Sequence, residues 1–338
     1  MTEPQLEPIE PDTAVDLYLT ERKSELSKQT LRSHRGRLST FVSWCEEDGI
    51  ENLNNLSGRD ARRYKIWRSD GIKTVTLKTQ IDTLRVFLRW GTTIDAVHPD
   101  VPDKVQSPTL QAGQNEKTTH IDSDAAEKIL AHLRKYEYAS LPHVTWEIMW
   151  HTGMRRGAAH ALDVGDYLPD ERYLDLKHRP ETETPLKNKY EGERPVAISD
   201  AVATVVGDWI ESQRPDVTDD HGRAPLLASK YGRAHGQTLQ KYVYLWSRPC
   251  AIGLECPHGR DPENCEATER RDTAFLCPDS IAPHDVRRSS ITHALRQDAT
   301  VSEVSDRADV SPDVLDKHYD QMTKKEKMEQ RRDFFDNL

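Results

Sequence analysis

The stretch His284-Asp285-Val286-Arg287, with Lys317-His318-Tyr319 downstream of it, decides how the rest of this chain is interpreted. Residues three apart on a helix are surface neighbours, so a helical segment here places His284 and Arg287 on one face. An imidazole and a guanidinium side by side can both donate hydrogen bonds to a single phosphate group. The pattern therefore predicts a phosphate contact in the C-terminal part of the chain.

Tyr319 follows a sequence that has the composition of a helix start. Ser311 is a favourable N-cap, Pro312 is tolerated in the first turn, and Asp313 lies at the positive end of the helix dipole. A helix of about two turns then carries Tyr319 near its end, where the hydroxyl is presented rather than buried. Without further motifs, a capped surface helix with a half-buried Tyr is the simpler explanation of these residues.

A second motif, Thr152-Gly153-Met154-Arg155, lies upstream at the end of an apolar helical segment. Its glycine permits a break in the helix, and Arg155 offers a planar fork of donors that matches two phosphate oxygens. In their order along the chain, these motifs and Tyr319 resemble the T-G-x-R box, the H-x-x-R box and the tyrosine nucleophile of the tyrosine recombinase (phage integrase) family. The resemblance covers nearly the whole chain and implies that Arg155, His284, Arg287 and Tyr319 are catalytic.

Two positions depart from the family pattern. The family usually has an acid three residues after the first catalytic arginine, where this chain has Ala158. It commonly has a His or Trp just ahead of the serine that precedes the nucleophile, where this chain has Val310. The support of Arg155 and one phosphate contact are therefore expected to be missing or supplied elsewhere. Arg156 is the alternative to Arg155, but the register of the motif favours Arg155.

A lysine between two predicted strands completes the implied catalytic set. Strand patterns cover residues 173–176 and 194–198, and Leu186-Lys187-Asn188-Lys189 lies between them, in the place of the family's β-hairpin lysine. The family pattern K-G-x-K-x-R begins with the catalytic residue, so the resemblance assigns Lys187, which would protonate the departing 5′ oxygen. The hairpin is longer than the pattern, so Lys189 remains an alternative, as does an ordinary solvated lysine.

Periodicity predicts a mainly helical chain with a small β-sheet, an α+β protein of two domains. Four amphipathic segments of helical spacing occupy residues 1–97, and residues 98–117, rich in Pro and without an apolar period, are predicted to be the interdomain linker or an ordinary surface loop. The resemblance implies a four-helix SAM-like core-binding domain that clasps DNA, followed by a catalytic domain over residues 118–338. The clearest apolar stripe consists of Leu77, Ile81, Leu84 and Leu88.

The composition is acidic. The 338 residues carry a formal net charge of −10, which taken alone argues against a nucleic-acid partner. No run of 18 apolar residues occurs, and the acidic, Pro-containing N-terminus does not have the character of a signal peptide, so we expect a cytoplasmic, nucleoid-associated protein with no membrane partner. The excess of acids also indicates a halophilic prokaryote or its virus as the source, where counterion release contributes less to DNA binding.

Basic residues are nevertheless concentrated in two short segments of the first domain. Residues 28–37 contain four cations and no acid, and residues 59–68 contain five cations and one acid. Such local basic faces are typical of proteins that bind the phosphate backbone, although solvated helix faces would give the same composition. We therefore expect double-stranded DNA as the partner, bound through these segments and the helix that follows them. The candidate residues are Arg32, Arg35, Arg37, Arg62, Arg63, Lys78 and Arg85.

An insertion at about 250–277, which the family pattern lacks, contains four of the five cysteines. In an intracellular protein, such a cluster indicates a metal site more often than disulfides. The spacing C-x5-C-x-H-x6-C-x11-C is compatible with a tetrahedral structural zinc. Because the paired C-x2-C form is absent, reduced thiols in a loop are the alternative. The candidate ligands are Cys250, Cys256, His258, Cys265 and Cys277.

The resemblance implies a site-specific DNA recombinase or integrase that cleaves and rejoins strands through a 3′-phosphotyrosyl intermediate. No cofactor is expected for catalysis, since arginines stabilise the charge on the non-bridging oxygens and the phosphotyrosyl bond keeps the energy for rejoining. We expect a homotetramer on DNA and a monomer or weak oligomer without it. Two alternatives remain: a type IB topoisomerase-like nicking-closing enzyme, and a catalytically weakened DNA-binding regulator.

Overall fold

The structure, a computed structural model, describes residues 5–111 and 121–315 and, beyond them, positions 325, 328, 329 and 332. The chain forms two compact units, Met1–Lys117 and Thr118–Leu338, each with a hydrophobic core of its own. Helices dominate the described ranges and two small antiparallel sheets accompany them, so the predicted α+β class is confirmed. None of the helices in these ranges is both long and apolar enough to cross a membrane.

The described part of the N-terminal unit consists of four helices and one short helical turn: α1 (Pro11–Glu21), α2 (Lys28–Asp48), α3 (Gly58–Ser69), α4 (Thr74–Thr93) and α5 (Val101–Lys104). Local signals set their ends. Helix α2 starts after Ser27, whose side chain accepts a hydrogen bond from the backbone of Thr30, and stops at Gly49, where φ is 72°. Glycine adopts that left-handed conformation at no steric cost, so α2 ends there.

Aromatic side chains fill the centre of this bundle. Phe41 of α2 and Phe87 of α4 are fully buried, and Tyr64 packs edge-on against Phe41 with ring centroids 5.3 Å apart. Tyr18 packs in the same way on Phe87 at 5.6 Å, an arrangement that stabilises beyond area burial alone. The predicted apolar stripe of α4 also faces this core, because all four of its members are buried: Leu77, Ile81, Leu84 and Leu88.

The first residues of the predicted linker pack inside the N-terminal unit. Val101 begins the single turn of α5 and Val105 follows it, and each is only 3% exposed as part of the same core as α4. Apolar side chains that can be buried leave water, so residues 98–105 belong to the bundle and not to a tether. Residues 112–120, the later part of the predicted linker, lie outside the described ranges.

The C-terminal unit combines helices with a three-stranded and a two-stranded sheet. Its described helices are α6 (Ser123–Tyr136), α7 (Leu141–Thr152), α8 (Arg156–Ala161), α9 (Asp200–Asp208), α10 (Gly236–Trp246), α11 (Glu266–Glu269), α12 (Pro283–Arg296), α13 (Val301–Ala308) and α14 (Pro312–Val314). Its strands are β1 (Tyr167–Leu168), β2 (Tyr173–Leu176), β3 (Arg194–Ala197), β4 (Ala228–Ser229) and β5 (Gly232–Arg233). Strands β1, β2 and β3 pair antiparallel in that order, and Leu174 faces Val196 across the register. The two predicted strands are therefore confirmed, and the segment between them, residues 177–193, is the hairpin that carries Lys187.

Helix α7 is the central element of the C-terminal core. Its side chains are buried on almost every face, and Trp146, Ile148 and Met149 are completely inaccessible. Helices α6, α9, α10 and α12 all pack against it. Because α7 leads directly into Thr152-Gly153-Met154-Arg155, this buried helix positions the first arginine of the predicted site.

A buried carboxylate lies within α7. Glu147 is fully buried, and its Oε1 accepts hydrogen bonds from Arg134 at 2.8 Å and from His143 Nε2 at 3.1 Å. His151 Nε2 lies 3.0 Å from Oε2 as an ion pair. His143 Nδ1 accepts a hydrogen bond from the Ala139 backbone, so its proton is on Nε2, facing the carboxylate. Burial alone would raise the pKa of Glu147, but the contacts with the two histidines outweigh it and lower the pKa to about 2.

Acid should destabilise the C-terminal unit through Glu147. A carboxylate whose pKa is depressed on folding stabilises the fold above its ordinary pKa of 4.5, and this contribution is lost as the pH falls from 4.5 toward about 2. The shift corresponds to at most about 3 kcal/mol. The variant Glu147→Gln removes the charge at nearly constant shape, so its free energy of unfolding in urea should vary less over this pH range than that of the wild type. Identical pH dependence of the two chains would contradict the assignment.

Candidate active site

The turn after α7 presents Arg155 at the start of α8. Gly153 has a φ of 61°, and a Cβ atom there would come within 3.2 Å of Ser290 Oγ on α12. Both the backbone conformation and the close approach of α12 therefore require glycine. The predicted break at Gly153 is confirmed, and the side chain of Arg155 emerges from it with 31% of its surface exposed.

Arg287 fastens this turn to the end of α13. Its side chain is buried, and Nη1 donates hydrogen bonds of 2.7 Å both to the Gly153 carbonyl and to the Ala308 carbonyl. One guanidinium thus joins three segments that lie far apart in sequence. His284, one helical turn earlier on α12, is exposed. The contact of a single phosphate with both His284 and Arg287 stays a prediction, because the two side chains differ in their access to solvent.

Asp309 contacts two parts of the predicted site, the first arginine and the hairpin. Its Oδ2 accepts a hydrogen bond from Arg155 Nη1 at 2.5 Å, and its Oδ1 accepts one from Asn188 Nδ2 at 2.7 Å. Asp309 directly follows α13 and has a left-handed φ of 53°. Its signal in the sequence is an acid immediately before Val310, the position at which a family contact is replaced.

The hairpin holds Lys187 between two anchored neighbours. The backbone N–H of Leu186, which is buried, donates to His178 Nδ1 at 2.9 Å, and Asn188 is bonded to Asp309. Lys187 itself is exposed. Lys189, the alternative, has a positive φ of 54° just beyond these anchors.

Arg194, at the start of β3, is a second residue that the sequence interpretation overlooked. Its Nε donates to the Arg307 carbonyl at 2.9 Å and its Nη1 to the Gly192 carbonyl at 2.8 Å. Burial lowers the pKa of Arg194 to about 10, with Asp309 acting against this and the positive charges of Arg287, Arg155 and Arg307 reinforcing it. The K-G-x-K-x-R pattern ends in an Arg, and Arg194 takes that place only when the longer hairpin is allowed for, since the unmodified spacing from Lys187 ends on Gly192.

Comparison with known proteins adds two kinds of information. Residues 16–93 match the phage integrase N-terminal SAM-like domain. Over 162 residues the chain is 27% identical to tyrosine recombinase XerC of Staphylococcus carnosus (strain TM300), covering 48% of this chain and 49% of that protein. The chain thus spans about half the length of this curated relative.

Solved structures share the fold along nearly the entire chain. A Tn1549 transposon integrase in complex with transposon right end DNA superposes with a TM-score of 0.63 at 13% identity, covering 98% of this chain and 99% of that one. A lambda integrase dimer bound to a COC′ core site gives 0.61 at 12% identity, with 97% and 79% covered. The chain is therefore similar to tyrosine recombinases in part of its sequence and in its fold. At such low identities, the structural likenesses carry the fold alone.

The segment that carries the predicted nucleophile, Tyr319, is described only in part. Helix α14 begins at Pro312 after Ser311, so the predicted helix start is confirmed. Val310 is buried in a small cluster with Ile291 of α12 and Val304 of α13, so the position where the family commonly has a His or Trp is part of the core here. Lys317, His318 and Tyr319 lie outside the described residues.

The predicted DNA-binding residues of the recombinase SAM-like domain fall into two groups. Arg32 of α2 and Arg62 of α3 are exposed, and Arg37 donates to Thr83 at 3.1 Å. The other four form surface ion pairs, which are weak enough for a phosphate to replace the acid. These pairs are Arg35 with Asp16 at 2.9 Å, Arg63 with Asp60 at 3.5 Å, and Lys78 and Arg85 with Asp82 at 2.7 Å each.

The structure gives no support to the predicted zinc site. Within the described residues, no three His, Cys, Asp or Glu side chains are arranged to hold a metal ion. His258 Nε2 pairs with Asp279 Oδ2 at 3.0 Å instead, and the cysteines carry free thiols. The predicted ligands line one small cavity: Cys250, Cys256, His258, Cys265 and Cys277.

The two family arginines should differ in what they contribute to stability. Arg155→Ala removes one partly exposed ion pair, with an expected cost of about 1 kcal/mol or less. Arg287→Ala leaves the carbonyls of Gly153 and Ala308 without this buried charged donor, and we expect a loss of about 2 to 4 kcal/mol. Urea unfolding of both variants measures the difference. An equal loss in the two variants would show that Arg287 does not fasten these segments.

Proposed function

We propose that this chain is a site-specific DNA recombinase that cleaves and rejoins strands through a 3′-phosphotyrosyl link to Tyr319. The observation that carries the proposal is the gathering of guanidinium groups from distant segments around the single carboxylate of Asp309. Such a cluster, rigid and only partly open to water, is suited to a phosphodiester. Its positive charge is in place before any reaction begins.

The chemistry follows from the residue types. The Tyr319 oxygen attacks phosphorus, the bond from phosphorus to the 5′ oxygen breaks, and the 3′ phosphate remains on the tyrosine. Charge that builds on the non-bridging oxygens is stabilised by Arg155, and Arg287 holds the Arg155 turn in place. We propose that His284, exposed on α12, either accepts the proton of the attacking hydroxyl or donates a hydrogen bond to the phosphate. No step is assigned to a metal ion or another cofactor.

The leaving 5′ oxygen needs a proton, and Lys187 is the proposed donor. A general acid works only when it is held within hydrogen-bond reach of the oxygen that it protonates. Leu186 is fixed by His178, and Asn188 is fixed by Asp309, so the backbone on both sides of Lys187 has a defined position. This anchoring favours Lys187 over Lys189.

We further propose that duplex DNA is the substrate and that a tetramer forms on it. The match of residues 16–93 to the phage integrase N-terminal SAM-like domain supports this proposal, and the exposed Arg32 and Arg62 of that bundle are suited to backbone phosphates. Lambda integrase has been described as a tetramer bound to a Holliday junction. Energy-neutral exchange between two duplexes fits a reaction that stores the broken bond in a phosphotyrosine.

A covalent trap tests the proposed reaction. The probe is a pool of nicked duplexes with a randomised segment, in which the short fragment released by cleavage diffuses away and prevents religation. We expect DNA that stays bound through denaturing washes, at defined sequences, and mass spectrometry should locate the adduct on Tyr319. Tyr319→Phe, which lacks only the hydroxyl, is the control. Native binding without any adduct would instead make the chain a DNA-binding regulator, and adducts without sequence preference would favour a topoisomerase.

The role of Lys187 has its own test. Lys187→Ala should slow adduct formation by about 100-fold or more, the usual contribution of a general acid. A substrate with sulfur in place of the bridging 5′ oxygen has a leaving group that needs no proton, so it should restore most of the rate. The matched control is Lys189→Ala, which should keep nearly the wild-type rate on both substrates. A defect of Lys187→Ala that persists on the sulfur substrate would remove it as the acid.

A further inference from the structure

The first arginine of the site has an acid partner from an unexpected part of the chain. The family pattern has an acid three residues after that arginine, and here the position is Ala158, which is buried. A guanidinium with several freely rotating bonds needs a fixed partner if it is to meet a phosphate in one orientation. In this chain, Asp309 provides that partner from 154 residues away.

We infer that Asp309 is the positioning residue for Arg155 and, through Asn188, for the hairpin that carries Lys187. The inference rests on the proposed recombinase reaction and deepens it. Asp309 itself need not touch the substrate. It would set the distance between the cation that stabilises the phosphate and the lysine that protonates the leaving oxygen.

The geometry of the contact leaves Arg155 able to bind a phosphate. Asp309 accepts from Nη1 only, at 2.5 Å. Within the described residues, no hydrogen bond occupies Nε or Nη2 of Arg155. These two donors form the side-on edge of the guanidinium, which matches two phosphate oxygens. The carboxylate therefore fixes the orientation of the guanidinium without occupying its phosphate-binding edge.

The second oxygen of Asp309 connects Arg155 to the hairpin. Oδ1 accepts from Asn188 Nδ2 at 2.7 Å, and Asn188 is the neighbour of Lys187. Asp309 is thus bonded on both sides, and only 14% of its side chain is exposed. A carboxylate held by two hydrogen bonds is not easily displaced when DNA binds. This favours a role in which Asp309 stays bonded to Arg155 over one in which it only occupies the place of the phosphate until DNA arrives.

The backbone around Asp309 is fixed by the other arginines. The carbonyl of Arg307 accepts from Arg194, the carbonyl of Ala308 accepts from Arg287, and the Asp309 N–H donates to Ser305. Together with the bond from Arg155 to the Asp309 carboxylate, three consecutive residues at the end of α13 are each bonded to a different arginine. Asp is one of the few residues other than glycine that tolerate the left-handed conformation seen here, with φ at 53°.

The test is Asp309→Asn, since asparagine also tolerates this backbone conformation, and it removes the charge and one of the two acceptor oxygens at nearly constant shape. On a nicked duplex selected with the wild-type chain, we expect single-turnover adduct formation at saturating DNA to fall by about 10- to 100-fold. DNA affinity and the urea unfolding midpoint should stay nearly unchanged. The matched control is Asp298→Asn, another aspartate of the same unit with positive φ, 63°, but exposed; its rate should equal that of the wild type.

A double-mutant cycle separates positioning from a general structural effect. If Asp309 acts through Arg155, the chain with Arg155→Ala and Asp309→Asn together should be no slower than Arg155→Ala alone, within about threefold. Fully additive losses would overturn the inference. If Asp309→Asn does not fold, Asn188→Ala is the second variant, which breaks the hairpin contact alone and should still slow adduct formation several-fold.

Three results of the Asp309→Asn experiment have distinct meanings. A faster reaction would show that the carboxylate competes with the phosphate, and an unchanged rate would show that it has no influence; either overturns the inference alone. Absence of any adduct with the wild-type chain is failure of the proposed function itself, and the positioning role falls with it.

Discussion

The site depends on the attraction between the carboxyl end of α13 and three guanidinium groups. The last carbonyls of a helix carry partial negative charge and lack partners within the helix. Here Arg194, Arg287 and Arg155 bond in turn to the Arg307 carbonyl, the Ala308 carbonyl and the Asp309 carboxylate. Arginines that would repel one another elsewhere are held together by this end of α13, and segments separated by more than a hundred residues meet there.

This arrangement is how a net acidic chain would form the proposed phosphate site. The total charge of −10 describes the surface as a whole, whereas the cations of the site are gathered locally and partly desolvated, where their field is strongest. The same division holds in the N-terminal bundle, in which acids pair with several basic side chains but leave Arg32 and Arg62 exposed. We infer that affinity for DNA comes from a few well-placed cations and not from a basic protein surface.

The sequence predicted those parts of the structure that depend on local patterns. The helices of the bundle, the two predicted strands and the break at Gly153 follow from periodicity and backbone preferences, and all are confirmed. The roles of Asp309 and Arg194 were not predicted, because they come from contacts with distant segments that no local pattern shows. The burial of Val101 and Val105 was not predicted, because two apolar residues are too few to show a period. The zinc prediction rested on clustering in sequence, and the described side chains do not converge on one metal position.

The account is tested most directly by a structure of the full chain bound to a nicked duplex that contains its cleavage sequence, with Tyr319 replaced by Phe so that the scissile phosphate stays intact. We expect the non-bridging oxygens of that phosphate within about 3 Å of the Nε and Nη2 donors of Arg155. Asp309 should still be bonded to Nη1, and the ring of residue 319 should point at phosphorus. A phosphate bound elsewhere, or a residue 319 ring on the opposite side of the C-terminal unit from the end of α13, would contradict the account.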